Sequence, residues 1–136
     1  MTTYIPAGLR RLVVERAKSR CEYCLILETD TFFGCQIDHV IAEKHGGPTS
    51  ESNLAYTCAF CNRHKGSDIG SIADSNGEFT RFYNPRTDTW SQHFSYDNFQ
   101  IVPLTPIGET TCKILQINAP DRIIEREAIG KKDSGE

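Results

Sequence analysis

Two Cys-x-x-Cys pairs, CEYC at Cys21 to Cys24 and CAFC at Cys58 to Cys61, constrain this chain more than any other feature in it. Such a turn sets two sulfurs along one edge of a tetrahedron, and two turns supply all four corners of a zinc site. The competing uses are disulfides or a redox-active pair. The N-terminus, MTTYIPAGLRRLVVERAK, has no apolar core followed by a small-residue cleavage site, so a cytoplasmic, reducing setting is expected. There, paired cysteines point to metal rather than to a disulfide framework. Four thiolates leave no open coordination position, so this Zn²⁺ is expected to be structural. Cys35 and Cys112 have no partner at ligand spacing and read as small buried apolar residues.

A chain of 136 residues with 38% hydrophobic content suits one compact domain, which a metal staple would help to hold. The net charge of -3 speaks against binding nucleic acid through bulk positive charge and leaves room for local basic patches. One such patch is the first helix, expected over residues 6–19 behind Pro6, with Leu9, Leu12, Val13 and Ala17 at helical spacing. No run approaches the ~20 apolar residues of a membrane span, and no membrane partner is expected.

The aromatic and β-branched run FFGCQIDHVIA reads as a strand ending near Val40. AEKHGGPTSES is loop, Leu54 to Thr57 a short return strand, and NRHKGSD the opening of a helix after the second knuckle. Beyond Gly66 the composition changes. Two or three short strands are expected, with turns at Ser75-Asn76-Gly77, Asn84-Pro85 and Tyr96-Asp97-Asn98. A helix over Gly108 to Asn118 and a charged helical tail from Asp121, fraying at KKDSGE, complete the chain.

Between the knuckles lie the residue types that phosphodiester hydrolysis needs: a base to activate water and oxygen ligands for a hard cation. Imidazole, with an ordinary pKa of about 6.5, suits the first role, and carboxylate and amide oxygens suit Mg²⁺ or Mn²⁺. Asp38, His39 and Asn62 provide them. Taken singly, Asp38-His39 is an ordinary polar pair, and Asn53 and Asn62 are turn or cap residues. Their joint spacing inside a zinc frame is what favours catalysis.

The series CEYC, DHV, GGP, NL and CNRHK resembles the HNH endonuclease family, in particular small bacterial or phage-type HNH proteins. The resemblance covers residues 21 to about 66, and the intervals from His39 to Asn53 and Asn62 are similar to those in the HNH domain of RNA-guided DNA nucleases. It implies an α+β fold: the ββα-metal (HNH, His-Me finger) fold stapled by the four-cysteine zinc site, with an N-terminal helix and a small β-rich plus helical C-terminal extension. It implies further that His39 is the general base, that Asp38 and Asn62 hold the catalytic ion, and that Asn53 braces the loop. Asn62 stands where the family's name has His, and the harder ligand favours Mg²⁺. Strict strand alternation would send Asp38 and His39 to opposite faces unless the strand ends there.

Lys65 and Arg63, near a helix start, are expected to contact DNA phosphate. His45 and His64 are read as bystanders. GEFTRFYNPRTDTWSQHF and LTPIGETTCKILQIN resemble an extension found on small HNH proteins. There, Trp90 and its aromatic neighbours are expected to complete a core against the finger, with DNA contact by Arg81, Arg86 or His93 as the alternative. The expected organisation is an HNH core over 1–68 and an extension over 69–136 packed on it as one compact domain. The expected activity is metal-dependent nicking of double-stranded DNA, leaving 5′-phosphate and 3′-hydroxyl ends, by a monomer or weak homodimer. The alternative is a non-catalytic, zinc-stabilised nucleic-acid-binding or protein-interaction module.

Overall fold

The computed structural model describes residues 4–133; the first three residues and the last three lie outside the description. The chain forms two compact units, one of residues 1–69 with 84–88, the other of residues 70–83 with 89–136. All paired strands are antiparallel, in two-stranded sheets, so the chain is α+β.

The first unit begins with helix α1 (Ala7–Ala17), which enters behind Pro6 and stops where Lys18 turns left-handed at φ 55°. Its buried face is narrower than the sequence suggests. Val13 and Ala17 are buried, whereas Leu12 is exposed. After the CEYC turn, strand β1 (Cys35–His39) pairs with β2 (Leu54–Cys58), and helix α2 (Ala59–Lys65) follows β2 directly. Cys35 and Ile37 on one face of β1 join Leu54, Tyr56, Val13, Ala17 and Ile5 in one apolar cluster. The opposite face of the hairpin receives α2. This is the ββα arrangement, with α1 on its other side.

The helix expected over Gly108 to Asn118 runs instead over Pro106–Leu115, Tyr96 and Asp97 belong to the strand Phe94–Asp97 rather than to a turn, and two further differences have a plain cause. β1 starts only at Cys35 because Gly34 takes φ 72°, off the extended path, and leaves Phe32 and Phe33 in solvent. Helix α2 starts at Ala59 rather than after CAFC, because the Cys58 sulfur caps it by accepting the Cys61 N–H.

The second unit holds two hairpins, β3 (Gly70–Ile72) with β4 (Phe79–Arg81) and β5 (Phe94–Asp97) with β6 (Gln100–Pro103). The first turns through Ser75 to Gly77, the second through Asn98 and Phe99 at φ 49° and 68°. A single turn of helix, α3 (Trp90–His93), precedes β5. Helix α4 (Pro106–Leu115) is capped by the Thr105 hydroxyl and packs on β3, β4 and β6. Tyr83, Phe94 and Trp90 form an aromatic cluster, with centroids 5.3 Å apart for Tyr83–Phe94 and 5.1 Å for Trp90–Phe94. Helix α5 (Pro120–Asp133) is held by buried Arg126, which donates to the carbonyls of Phe99 and Ile117. It stays helical through Asp133, and the remainder of the expected fray lies outside the described residues.

Candidate active site

The four knuckle cysteines meet inside the first unit. Their sulfurs all lie within 4.8 Å of one another, and Cys24 Sγ is 3.7 Å from Cys58 Sγ. The edge of a tetrahedron with Zn–S bonds of about 2.3 Å is ~3.8 Å, whereas a disulfide needs about 2.05 Å. Cys24 N–H donates to Cys21 Sγ at 3.5 Å and Cys61 N–H to Cys58 Sγ at 3.4 Å, which favours sulfur carrying negative charge. Burial pushes the Cys21 thiol well up, whereas the hydrogen bond with Cys21 brings the Cys24 thiol down. A cation would let all four become thiolate together, and the donor set fits structural zinc.

Neither remaining cysteine joins the cluster. Both are half-buried rather than buried, and burial still pushes each thiol up to about 12, far from a nucleophile's range.

The frame sets the rest. His39 is the last residue of β1 and still pairs in register with Leu54, so alternation holds: its side chain bonds Thr49 of the loop, whereas that of Asp38 bonds Lys65 of α2. Gln36 and Asp38, two residues apart on one face, point toward α2. There Asn62 Nδ2 donates to Gln36 Oε1 at 2.8 Å, and Lys65 Nζ donates to Asp38 Oδ2 at 3.1 Å. Asp38 and Asn62 thus lie on the same side of the hairpin. Among the described residues, neither Asp38 Oδ1 nor Asn62 Oδ1 takes a hydrogen bond. Carboxylate and amide oxygens are ligand types that a hard cation takes. His39, at the strand's last position, places Nε2 2.8 Å from Thr49 Oγ1 and 3.9 Å from Glu43 Oε1.

Asn53 joins the loop to the strand. Its Oδ1 accepts from Ile41 N–H at 2.9 Å, and its Nδ2 donates to the carbonyls of Ile41 and Pro48, each at 2.9 Å. Buried, with three backbone bonds, Asn53 fixes the loop that carries Thr49. Gly47 is required there, since a Cβ would fall 1.8 Å from the Ile41 carbonyl oxygen.

Lys65, expected to contact phosphate, and Arg86, for which DNA contact is the alternative, are both committed within the protein. Lys65 closes α2 rather than opening it and is 1% exposed, its ammonium shared between Asp38 Oδ2 and the His39 carbonyl oxygen at 3.0 Å. A phosphate cannot reach it, so the expected phosphate contact is withdrawn. Arg86 is likewise committed: it pairs with Glu22, whose other carboxylate oxygen accepts from Tyr56 N–H at 2.9 Å. Burial pushes the Glu22 carboxyl up, and Arg86 opposes that shift. This pair ties the Asn84–Asp88 loop to the first knuckle.

Arg63 is exposed, 5.8 Å above the Phe60 ring, and stays accessible. Of the other basic side chains considered, Arg81 donates to the Phe82 carbonyl and His93 Nδ1 sits 2.7 Å from Thr105 Oγ1. His45 Nε2 lies 3.1 Å from the Ser67 carbonyl, a contact unrelated to the constellation.

Gln36 and Thr49, the partners of Asn62 and His39, carry no signal in the sequence. Thr49 could have been suspected only from its place just past the Gly-Gly-Pro turn.

Residues 21–68 match the HNH endonuclease family model. They contain both knuckles, β1, β2 and α2, so the matched segment coincides with the zinc-stapled ββα fold. No curated protein and no solved structure matches the chain.

Proposed function

We propose, from the match of residues 21–68 to the HNH endonucleases, that the protein is a metal-dependent DNA endonuclease that nicks duplex DNA in the cytoplasm. The observation that carries this reading is local. Asp38 and His39 sit at the end of β1, against a helix whose register is fixed by two of the four frame cysteines. His39 is the general base. With Nε2 held against Thr49 Oγ1, Nδ1 is the nitrogen left to take a proton from water. Asp38 and Asn62 are the residues that would hold Mg²⁺ or Mn²⁺, which supplies positive charge for the phosphate and the departing 3′-oxygen. Asn53 braces the loop behind His39, and Arg63 contacts phosphate, a role its exposure supports. One site per chain makes a monomer a nicking enzyme, and paired cuts would take two copies or two events.

One observation favours a non-catalytic zinc module instead: the Lys65 ammonium already occupies part of the Asp38 carboxylate. Incubating zinc-loaded protein with supercoiled plasmid in Mg²⁺ or Mn²⁺ separates the two readings. The endonuclease reading predicts nicked circles that DNA ligase reseals, because the ends are 5′-phosphate and 3′-hydroxyl. Intact plasmid in both metals contradicts it, and nicks that ligase cannot close contradict the proposed direction of attack.

A further inference from the structure

Beside Asn62 lies a cleft of about 400 Å³ lined by Phe33, Gln36, Ala59, Phe60, Asn62 and Arg63. We propose that this cleft binds one unpaired nucleobase of the substrate strand, next to the phosphate to be cut. The proposal rests on the endonuclease reading for its substrate and deepens it.

The walls are those of a base-stacking site. Phe33 is 66% exposed and Phe32 is 90% exposed, an arrangement that no core explains. The Phe32 ring meets Phe33 edge-on at 4.9 Å, and Phe33 meets Phe60 edge-on too, with centroids 6.3 Å apart and planes at 69°, which leaves the exposed face of Phe33 open for a base to stack on. Arg63 lies over Phe60, adding a planar cation next to the aromatic faces. Gln36 Oε1 accepts from Asn62 Nδ2, which leaves the Gln36 Nε2 amide to donate to a base edge. Because Asn62 belongs both to the cleft and to the proposed ion site, a phosphate at that site brings its neighbouring base to the cleft mouth. A chain of net charge -3 gains little from bulk electrostatics, which makes stacking a larger share of its affinity. A base inside a paired, stacked duplex cannot enter. The favoured substrate is therefore duplex DNA with an unpaired nucleotide, and not a perfect helix.

The test is fluorescence anisotropy, without added divalent ion, on a fully paired duplex and on the same duplex with one unpaired nucleotide. Wild type is expected to bind the second about 5- to 150-fold more tightly. Phe33→Ala, at an exposed position that leaves zinc content unchanged, should erase the preference, and Phe33→Tyr should keep it. Equal binding of the two duplexes by wild type, or a preference that survives in zinc-loaded Phe33→Ala, overturns the proposal. Nicking of supercoiled plasmid and of the duplex with the unpaired nucleotide is scored in parallel. Nicking without the preference removes the cleft proposal alone, whereas the preference without nicking in any metal removes the endonuclease reading and leaves the cleft as a binding site.

Discussion

Replacing Lys65 with Met tests whether that lysine is a buried counter-ion or a DNA contact. Methionine keeps the apolar stem and removes the ammonium that bridges Asp38 Oδ2 and the His39 carbonyl. The loss leaves that carbonyl without its donor, which costs about 1–3 kcal/mol. The Asp38 side chain is 21% exposed, so water compensates much of what it loses. Relief from burying an ammonium works the other way. The net expectation is a destabilisation of about 2 kcal/mol. With a denaturant slope of about 1–2 kcal/mol per molar, that moves the urea midpoint of the first unit down by about 1–2 M. Added Mg²⁺ should restore part of this in Lys65→Met, because a cation at Asp38 takes over the missing charge and stabilises by mass action. The assay is urea unfolding followed by circular dichroism and by zinc release from the four cysteines of the first unit, with total zinc held constant. An unchanged midpoint, together with weaker DNA binding and a shallower salt dependence, would refute the buried-pair account and reinstate phosphate contact.

Further outcomes follow from the same geometry. Cys58→Ala should lose the metal and unfold the first unit, since zinc binding and folding of so small a frame are one equilibrium; metal analysis should find one zinc per chain in wild type and none in the variant. Asn53→Ala removes three backbone bonds from a buried site and should cost about 2–3 kcal/mol in urea unfolding, with nicking impaired even where the protein is folded. Thr49→Val should slow nicking on the order of tenfold with KM little changed, Thr49→Ser should recover it, and ring-nitrogen NMR should show an altered His39 tautomer in the valine variant only.

The four-cysteine cluster was legible in the sequence because two Cys-x-x-Cys turns at matched spacing suit one metal site, and their convergence places β1, β2 and α2. What the sequence hid were contacts made across long separations or by unusual donors. Cys58 caps α2 with a sulfur, so rules built on Ser, Thr, Asp and Asn place the helix start too late. That displacement made Lys65 look like a first-turn residue, when it is the last residue and turns beneath the hairpin. Arg86 looked free because Glu22, its partner, lies far up the chain. Phe32 and Phe33 looked like strand by composition, and only the positive φ of Gly34 shows why they leave it. Asp38, His39, Asn53 and Asn62 stand out through the family resemblance, while the partners of His39 and Asn62, on Thr49 and Gln36, have no motif of their own.

The most direct test of the central claim compares zinc-loaded wild type with zinc-loaded His39→Ala on supercoiled plasmid in Mg²⁺. His39 lies outside the zinc frame, so both proteins should carry the same zinc and unfold at similar urea concentrations. Wild type is predicted to accumulate nicked circles, with the variant slower by at least about 100-fold, the loss expected for a missing general base. Equal nicking by the two proteins would contradict the assignment of His39 and, with it, the active site described here.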